Sequence, residues 1–119
     1  MGLQRHRFNI ATDTGGDYTD TGPPMEGMIL QVAVDTGSLD TGCDFTLKTV
    51  QSGQVVGHWA NAGGSAWTRA PRVVTYDTGG DSLGDAPPVV AHDRLRVTVA
   101  QSDGATGSKT CTLYVITGW

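Results

Sequence analysis

The sequence predicts an all-β fold, an antiparallel β-sandwich of about seven short strands, with a small β-barrel as the alternative closure. Three observations predict it. Helical apolar periodicity is almost absent from the 119 residues. Short β-favouring runs recur, with apolar residues at alternate positions. Clusters of Gly, Asp, Thr, Ser and Pro separate these runs, and the chain holds 17 glycines. A chain of this length fits one domain, 1–119, which buries roughly two thirds of its unfolded surface. Residues 1–8 are read as a possible arm.

The first strand is expected over residues 7–12, then a turn at 13–17 and a short extended piece around Tyr18. Pro23 and Pro24 cannot pair in a ladder, so they mark a segment crossing between sheets. Residues 26–34 form the strongest strand, with Met28, Leu30, Val32 and Val34 on one face and Gln31 and Ala33 on the other. A doubled turn follows over 35–42. Residues 44–50 are the next strand, with Phe45 and Leu47 on one face. Ser52-Gly53 turns it into 54–60 as a hairpin. Residues 66–76 are extended but interrupted by Pro71, which predicts an edge strand or strap. Residues 77–88 read as the longest loop. Residues 94–101 alternate cleanly, with Leu95, Val97 and Val99 inward. After a turn at 102–108, residues 109–117 close the fold with Cys111, Leu113 and Val115 on one face. These last two strands are expected to pair with each other, because the connection between them is short.

Asp-Thr-Gly occurs five times, beginning at Asp13, Asp20, Asp35, Asp40 and Asp77. One copy after an apolar strand is how an aspartic protease presents its catalytic carboxylate. Residues 28–34 followed by Asp35-Thr36-Gly37-Ser38 fit that description, and a retropepsin-like dimer would be built from chains of about this length. Its two carboxylates would share one proton. Such a protease also needs a supporting apolar-apolar-Gly segment well downstream. Val55-Val56-Gly57 is the only such triplet, and it comes too soon. Five copies between β runs read better as turns, in which Asp and Thr bond nearby backbone and Gly accepts positive φ.

Other chemistry is weaker. His6, His58 and His92 have no Gly-x-Ser-x-Gly elbow near them, and His92-Asp93 reads as a hydrated pair where a strand begins. The spacings of Asp77, Asp81 and Asp85, and of Asp13, Asp17 and Asp20, lack the alternation of a calcium loop, so they read as acidic turns in solvent. No Cys-x-x-Cys or His-x-x-x-His motif points to a metal, and no cofactor is expected. The net charge of -4 and a charged content of 17% argue against nucleic acid and against anionic membranes as partners. Without a signal-like apolar stretch after Arg5, His6 and Arg7, the chain is expected to be made in a cytoplasm. Cys43 and Cys111 are then expected as free, partly buried thiols.

Trp59, Trp67 and Trp119 stand out in a chain with 7% aromatic residues. Trp59 is expected in the core. Trp67 and Trp119 are harder to bury, and tryptophan is enriched where proteins meet. Trp67 lies beside Arg69, Pro71 and Arg72, so Trp67, Arg69, Pro71, Arg72 and Trp119 form the candidate interface. An extended, proline-stiffened strap loses little entropy on docking, and Arg pairs bidentately with carboxylates. A carbohydrate-binding module is a competing use of the aromatics, although no row of rings along one strand favours it.

A set of motifs in order carries a resemblance. Ala11-Thr12-Asp13-Thr14-Gly15-Gly16 ends the first strand, and Gly27 precedes the next. Asp44-Phe45-Thr46 opens a third, and Ala70-Pro71-Arg72 forms a strap. His92-Asp93-Arg94-Leu95-Arg96-Val97 leads into a strand ending in Ala100-Gln101. Gly107-Ser108-Lys109-Thr110 enters the last. In this order the chain resembles a family of small tailed-phage virion proteins encoded near the capsid genes, and the likeness covers most of its length. The extra Asp-Thr-Gly copies and the longer loop before Pro87-Pro88 depart from the family pattern. The resemblance implies a non-enzymatic capsid decoration or cement protein, assembled in the host cytoplasm and residing in the virion. Its expected partners are the major capsid protein and copies of itself, as a homotrimer. A head–tail connector or tail component is the alternative within the same class.

Overall fold

The structure, a computed structural model, describes residues 3–13, 17–35, 37, 39, 42–76, 78–100 and 109–118. The described residues contain eleven strands and no helix. They are β1 (Gln4–Ala11), β2 (Tyr18–Thr21), β3 (Met25–Asp35), β4 (Asp44–Thr49), β5 (Val55–Trp59), β6 (Trp67–Arg69), β7 (Val73–Tyr76), β8 (Ser82–Ala86), β9 (Val89–Asp93), β10 (Leu95–Ala100) and β11 (Thr110–Gly118). One sheet runs β1-β11-β3, and β9 and β6 both pair with β3. β9 covers the first half of β3 and β6 the second. The other sheet runs β2-β10-β4-β5, and β7 pairs with β8 alone. Every pairing is antiparallel.

The sandwich predicted from the sequence is therefore the architecture observed. Alternation builds its core. Leu95, Val97 and Val99 of β10 point inward with Phe45 and Leu47 of β4, and all five are fully buried. Phe8 and Ile10 of β1, Val32 and Val34 of β3, and Leu113 and Val115 of β11 meet them from the opposite sheet. At about 25 cal/mol per Å² of apolar surface removed from water, this layer is the main favourable contribution to folding. Pro23-Pro24 does carry the chain between sheets, from β2 to β3. The 44–50 and 54–60 runs do form a hairpin, β4–β5. Cys43 and Cys111 are free and buried.

Several expectations are corrected. The last two strands do not pair with each other. β10 lies between β2 and β4, and β11 lies between β1 and β3 in the other sheet. Both edges of each strand are occupied, and the connection is long enough to cross the roughly 10 Å between packed sheets. The turn assigned to 102–108 lies outside the described residues, as does half of the doubled turn at 35–42. The 77–88 stretch is not simply a loop, because Ser82–Ala86 forms β8 against β7. The 66–76 stretch is two strands parted at Pro71, with β6 an edge strand as expected and β7 leaving the sandwich.

The face assignment in β3 also changes. Ile29 faces the core with Val32 and Val34, while Met28 and Leu30 are only half-buried. A β-bulge is the cause: Gln31 pairs with Ile116 and Ile29 with Thr117, so β3 carries one extra residue. One extra residue reverses the phase of alternation.

Among the Asp-Thr-Gly copies, Asp20-Thr21-Gly22 is strand rather than turn. Asp20 and Thr21 pair with β10 in β2, and Gly22 N–H donates to the Leu95 carbonyl. The other copies behave as turns wherever they are described. Asp13 accepts the Asp17 N–H, and Asp35 accepts the Gly37 N–H at 3.3 Å. Thr78 and Gly79 lie in the β7–β8 turn. Gly37 has φ +53°, and a Cβ there would lie 2.4 Å from the Thr110 carbonyl oxygen. Backbone must move to admit a side chain. Gly37→Ala is therefore expected to lower stability by about 3 kcal/mol or more, the left-handed conformation plus the overlap. Gly53 has φ +70° but its nearest neighbour is 4.0 Å away, so Gly53→Ala should cost only about 1–2 kcal/mol. Urea unfolding of the two variants measures the difference.

Candidate functional site

The sandwich has two open sides, and they are closed differently. On one side β1 meets β2. The Tyr18 hydroxyl donates to the Asn9 carbonyl and contacts Asp20 Oδ2 at 3.0 Å. Burial, reinforced by that carboxylate, pushes the Tyr18 pKa up to about 12, so the phenol stays a donor. The Phe8 ring packs on Gly22 beside it.

On the other side β5, the edge of one sheet, meets β6, the edge of the other. Trp67 pairs with Val34 and Trp59 with Phe45, so both indoles point to the inner side. Their centroids are 5.0 Å apart with planes tilted by 48°. Trp67 also meets Phe45 edge-on at 5.8 Å, a geometry aromatic pairs favour. Its Nε1–H donates to the Ala62 carbonyl at 2.8 Å, and Ala62 N–H donates to the Cys43 carbonyl. The 60–66 connection is thereby fastened to both sheets. Trp59 folds back along its own strand over Gly57, where a Cβ would lie 2.3 Å from the indole.

A cleft of about 630 Å³ opens over this cluster. Trp59 and Trp67 form its floor, while Asn61, Ser65, His58 and Arg69 supply polar groups. Arg69 lies two residues beyond Trp67 on the same face, with its guanidinium 5.5 Å from the Trp67 ring centroid. Cation–π attraction holds it there. Among the described residues no carboxylate lines the cleft.

The predicted interface residues are distributed as follows. Trp67 and Arg69 come together in the cleft. Pro71 is buried at the exit from β6. Arg72 is exposed but engaged, since its Nη2 lies 2.9 Å from Asp85 Oδ1 and donates to the Asp85 carbonyl. It ties the root of the β7–β8 hairpin. Trp119 lies outside the described residues.

Of the His92-Asp93 pair, His92 is exposed as expected, but Asp93 is not hydrated. Asp93 is buried. Its carboxylate accepts the N–H groups of Gln51, Ser52 and Arg94 and the Ser52 hydroxyl. These donors, Gln51 foremost, hold its pKa down to about 2 against the effect of burial. His92, at φ +52°, is the extra residue region of a second bulge, and its Nδ1 lies 2.6 Å from Glu26 Oε1. His58 bonds Thr46 on the outer face and His6 bonds Thr117. Each histidine thus serves a different strand pair. Burial, with Cys43 and Asp35 adding to it, pushes the Cys111 thiol up to about 12, so it is protonated at neutral pH.

Sequence reasoning found Trp67 and Arg69 but missed Gly57, Asn61 and the partnership of Trp59 with Trp67. Gly57-x-Trp59 was the available signal, because positions two apart on a strand share a face.

No protein-family model matches the chain, and no curated protein matches it. Two solved structures are similar to it. One is the VLP of the extra small virus of the giant freshwater prawn Macrobrachium rosenbergii, at 16% identity over 98% of this chain and 79% of that one, with TM-score 0.32. The other is infectious bursal disease virus, Gx strain, at 11% identity over 95% of this chain and 32% of that one, with TM-score 0.31. At these scores the likeness is weak and transfers no residue role.

Two predictions follow from the geometry. A depressed carboxyl pKa contributes stability that is present above its unfolded value of 3.8 and lost as pH falls toward about 2. Asp93→Asn should therefore unfold at lower urea than the parent at pH 7, and the gap should close between about pH 4 and pH 2. Gly57→Ala should displace Trp59 from its strand, shifting tryptophan emission to the red while cooperative unfolding is kept.

Proposed function

We propose that this chain is a non-enzymatic structural protein of a virus particle, a decoration or cement protein on a tailed-phage head. It binds the major capsid protein, and copies of itself, in the assembled virion. The observation that carries this reading is the ordered set of motifs, because the Asp-Phe-Thr, Pro-Arg and Asp-Arg-Leu motifs serve the framework of the sandwich. Asp44-Phe45-Thr46 opens the central strand β4 and supplies a buried core ring. Pro71-Arg72 turns the chain out of β6 and pins the hairpin root. Asp93 grips the β4–β5 turn, and Leu95 and Val97 enter the core. Motifs that build a scaffold are what members of a structural family would share, leaving clefts and hairpins to differ between partners.

The side presenting Trp67, Arg69 and Arg72, with Pro71 buried at the exit from β6, is the proposed contact side, and Trp119 is proposed as a further member. Attachment in many copies gains from avidity, so a single contact can be modest. Three-fold positions of a capsid lattice suit a trimer.

The test uses purified heads and purified tails of the virus, both lacking this chain. Added protein should bind heads saturably and raise the temperature at which they release DNA. Arg69→Ala should weaken that binding about tenfold, as loss of an interface arginine commonly does. Binding to tails alone would replace the head reading with a tail component, and binding to neither would overturn the virion reading.

A further inference from the structure

The β7–β8 hairpin is an anomaly in this fold. Among the described residues its strands pair only with each other, outside both sheets. An isolated two-stranded ribbon is marginal in water and needs a third strand or a packed face. The molecule is also extended, 50 × 30 × 24 Å, with a radius of gyration of 14.9 Å against about 13.5 Å for a compact domain of this length.

A second anomaly complements it. β5 is an open sheet edge, and among Val55, Val56, Gly57, His58 and Trp59 none is a formal charge of the Lys, Arg, Asp or Glu kind. Val55 is 52% exposed. The open edges on the opposite side are guarded: β1 carries Arg5 and Arg7, and β2 carries Asp20. Exposed edges without charge pair with other strands. Beside β5 lies the tryptophan cleft, and an open strand edge next to side-chain pockets is the arrangement for adding an extended segment.

We infer that the β7–β8 hairpin of one copy docks on β5 and the tryptophan cleft of a second copy of this chain. Length and charge both favour this occupant. β8 and β5 each have five residues, about 16 Å of strand. The hairpin segment 78–86 carries Asp81 and Asp85 and no basic residue, whereas the described residues lining the cleft include Arg69 and His58 and no acid. Asp81 and Asp85 are both already engaged, Asp85 with Arg72, but the Arg72 and Asp85 side chains are about half exposed. A surface pair of that kind is worth roughly 0–1 kcal/mol and can be shared or exchanged on docking. Docking would give the ribbon a third strand and cover the unguarded edge in one contact. The surfaces joined are different, so the contact is head-to-tail and can close into a ring.

The experiment needs no shell, which separates this contact from attachment to a head. The parent chain should self-associate in sedimentation equilibrium, and amides of β5 should exchange more slowly as concentration rises. Arg69→Glu should weaken association about tenfold or more. A variant with residues 74–85 replaced by a short Gly-Ser turn should be monomeric and still unfold cooperatively. Mixing these two variants should restore a one-to-one complex, because one supplies an intact hairpin and the other an intact cleft. A parent that stays monomeric at millimolar concentration would overturn the inference. So would association unaffected by Arg69→Glu, or two monomeric variants that fail to complement. Should the shortened variant fail to fold, the β5 exchange rates and the Arg69→Glu result decide alone.

Discussion

The two sheets are joined at a corner, and one buried carboxylate holds it. Asp93 ends β9 in the first sheet, Leu95 begins β10 in the second, and Arg94 lies between. At that corner the Asp93 side chain receives three backbone N–H groups, two of them from the turn that joins β4 to β5. The Val50 N–H adds a bond to the Arg94 carbonyl, and Thr49 closes the same turn through Gln54 and Ser52. A buried carboxylate is costly unless its oxygens are fully bonded, and here the turn is what bonds them. The register of β4 against β10 and of β5 against β4 follows from that grip. The placement of Trp59 at the far end of β5 follows in turn.

From this corner the molecule divides into a closed side and an available side. Tyr18 and Phe8 close the β1–β2 side with a phenol hydrogen bond and a ring packed on glycine. The β5–β6 side is closed by indole packing and by the hydrogen bonds that Ala62 makes to Trp67 and Cys43, with a cleft above it and a charge-free strand beside it. The same side sends out the β7–β8 hairpin three residues beyond β6.

The proposed interface was legible where local chemistry reported it. Trp67 and Arg69, two apart on a strand, must share a face, and a tryptophan beside an arginine reads as a contact site in any sheet. The position of Arg72 was not legible, because its partner Asp85 lies on a strand that glycine-rich sequence made look like loop. Asp93 was misread for a related reason. Its donors, Gln51 and Ser52, are about forty residues away in sequence, and no local pattern distinguishes a solvated aspartate from one that a distant turn will surround.

By itself the sequence determined the fold class, the β4–β5 hairpin, the crossing at Pro23-Pro24 and the inward faces of β4, β10 and β11. These depend on alternation and on proline and glycine chemistry, which act within a few residues. Tertiary structure decided the rest: which sheet β10 and β11 join, where the β3 bulge reverses its faces, and how Trp59 finds Trp67. Those outcomes depend on competition among strands for edges and on the closeness of packed sheets. Edge competition and packing are properties of the whole assembled sandwich, and no single segment contains them.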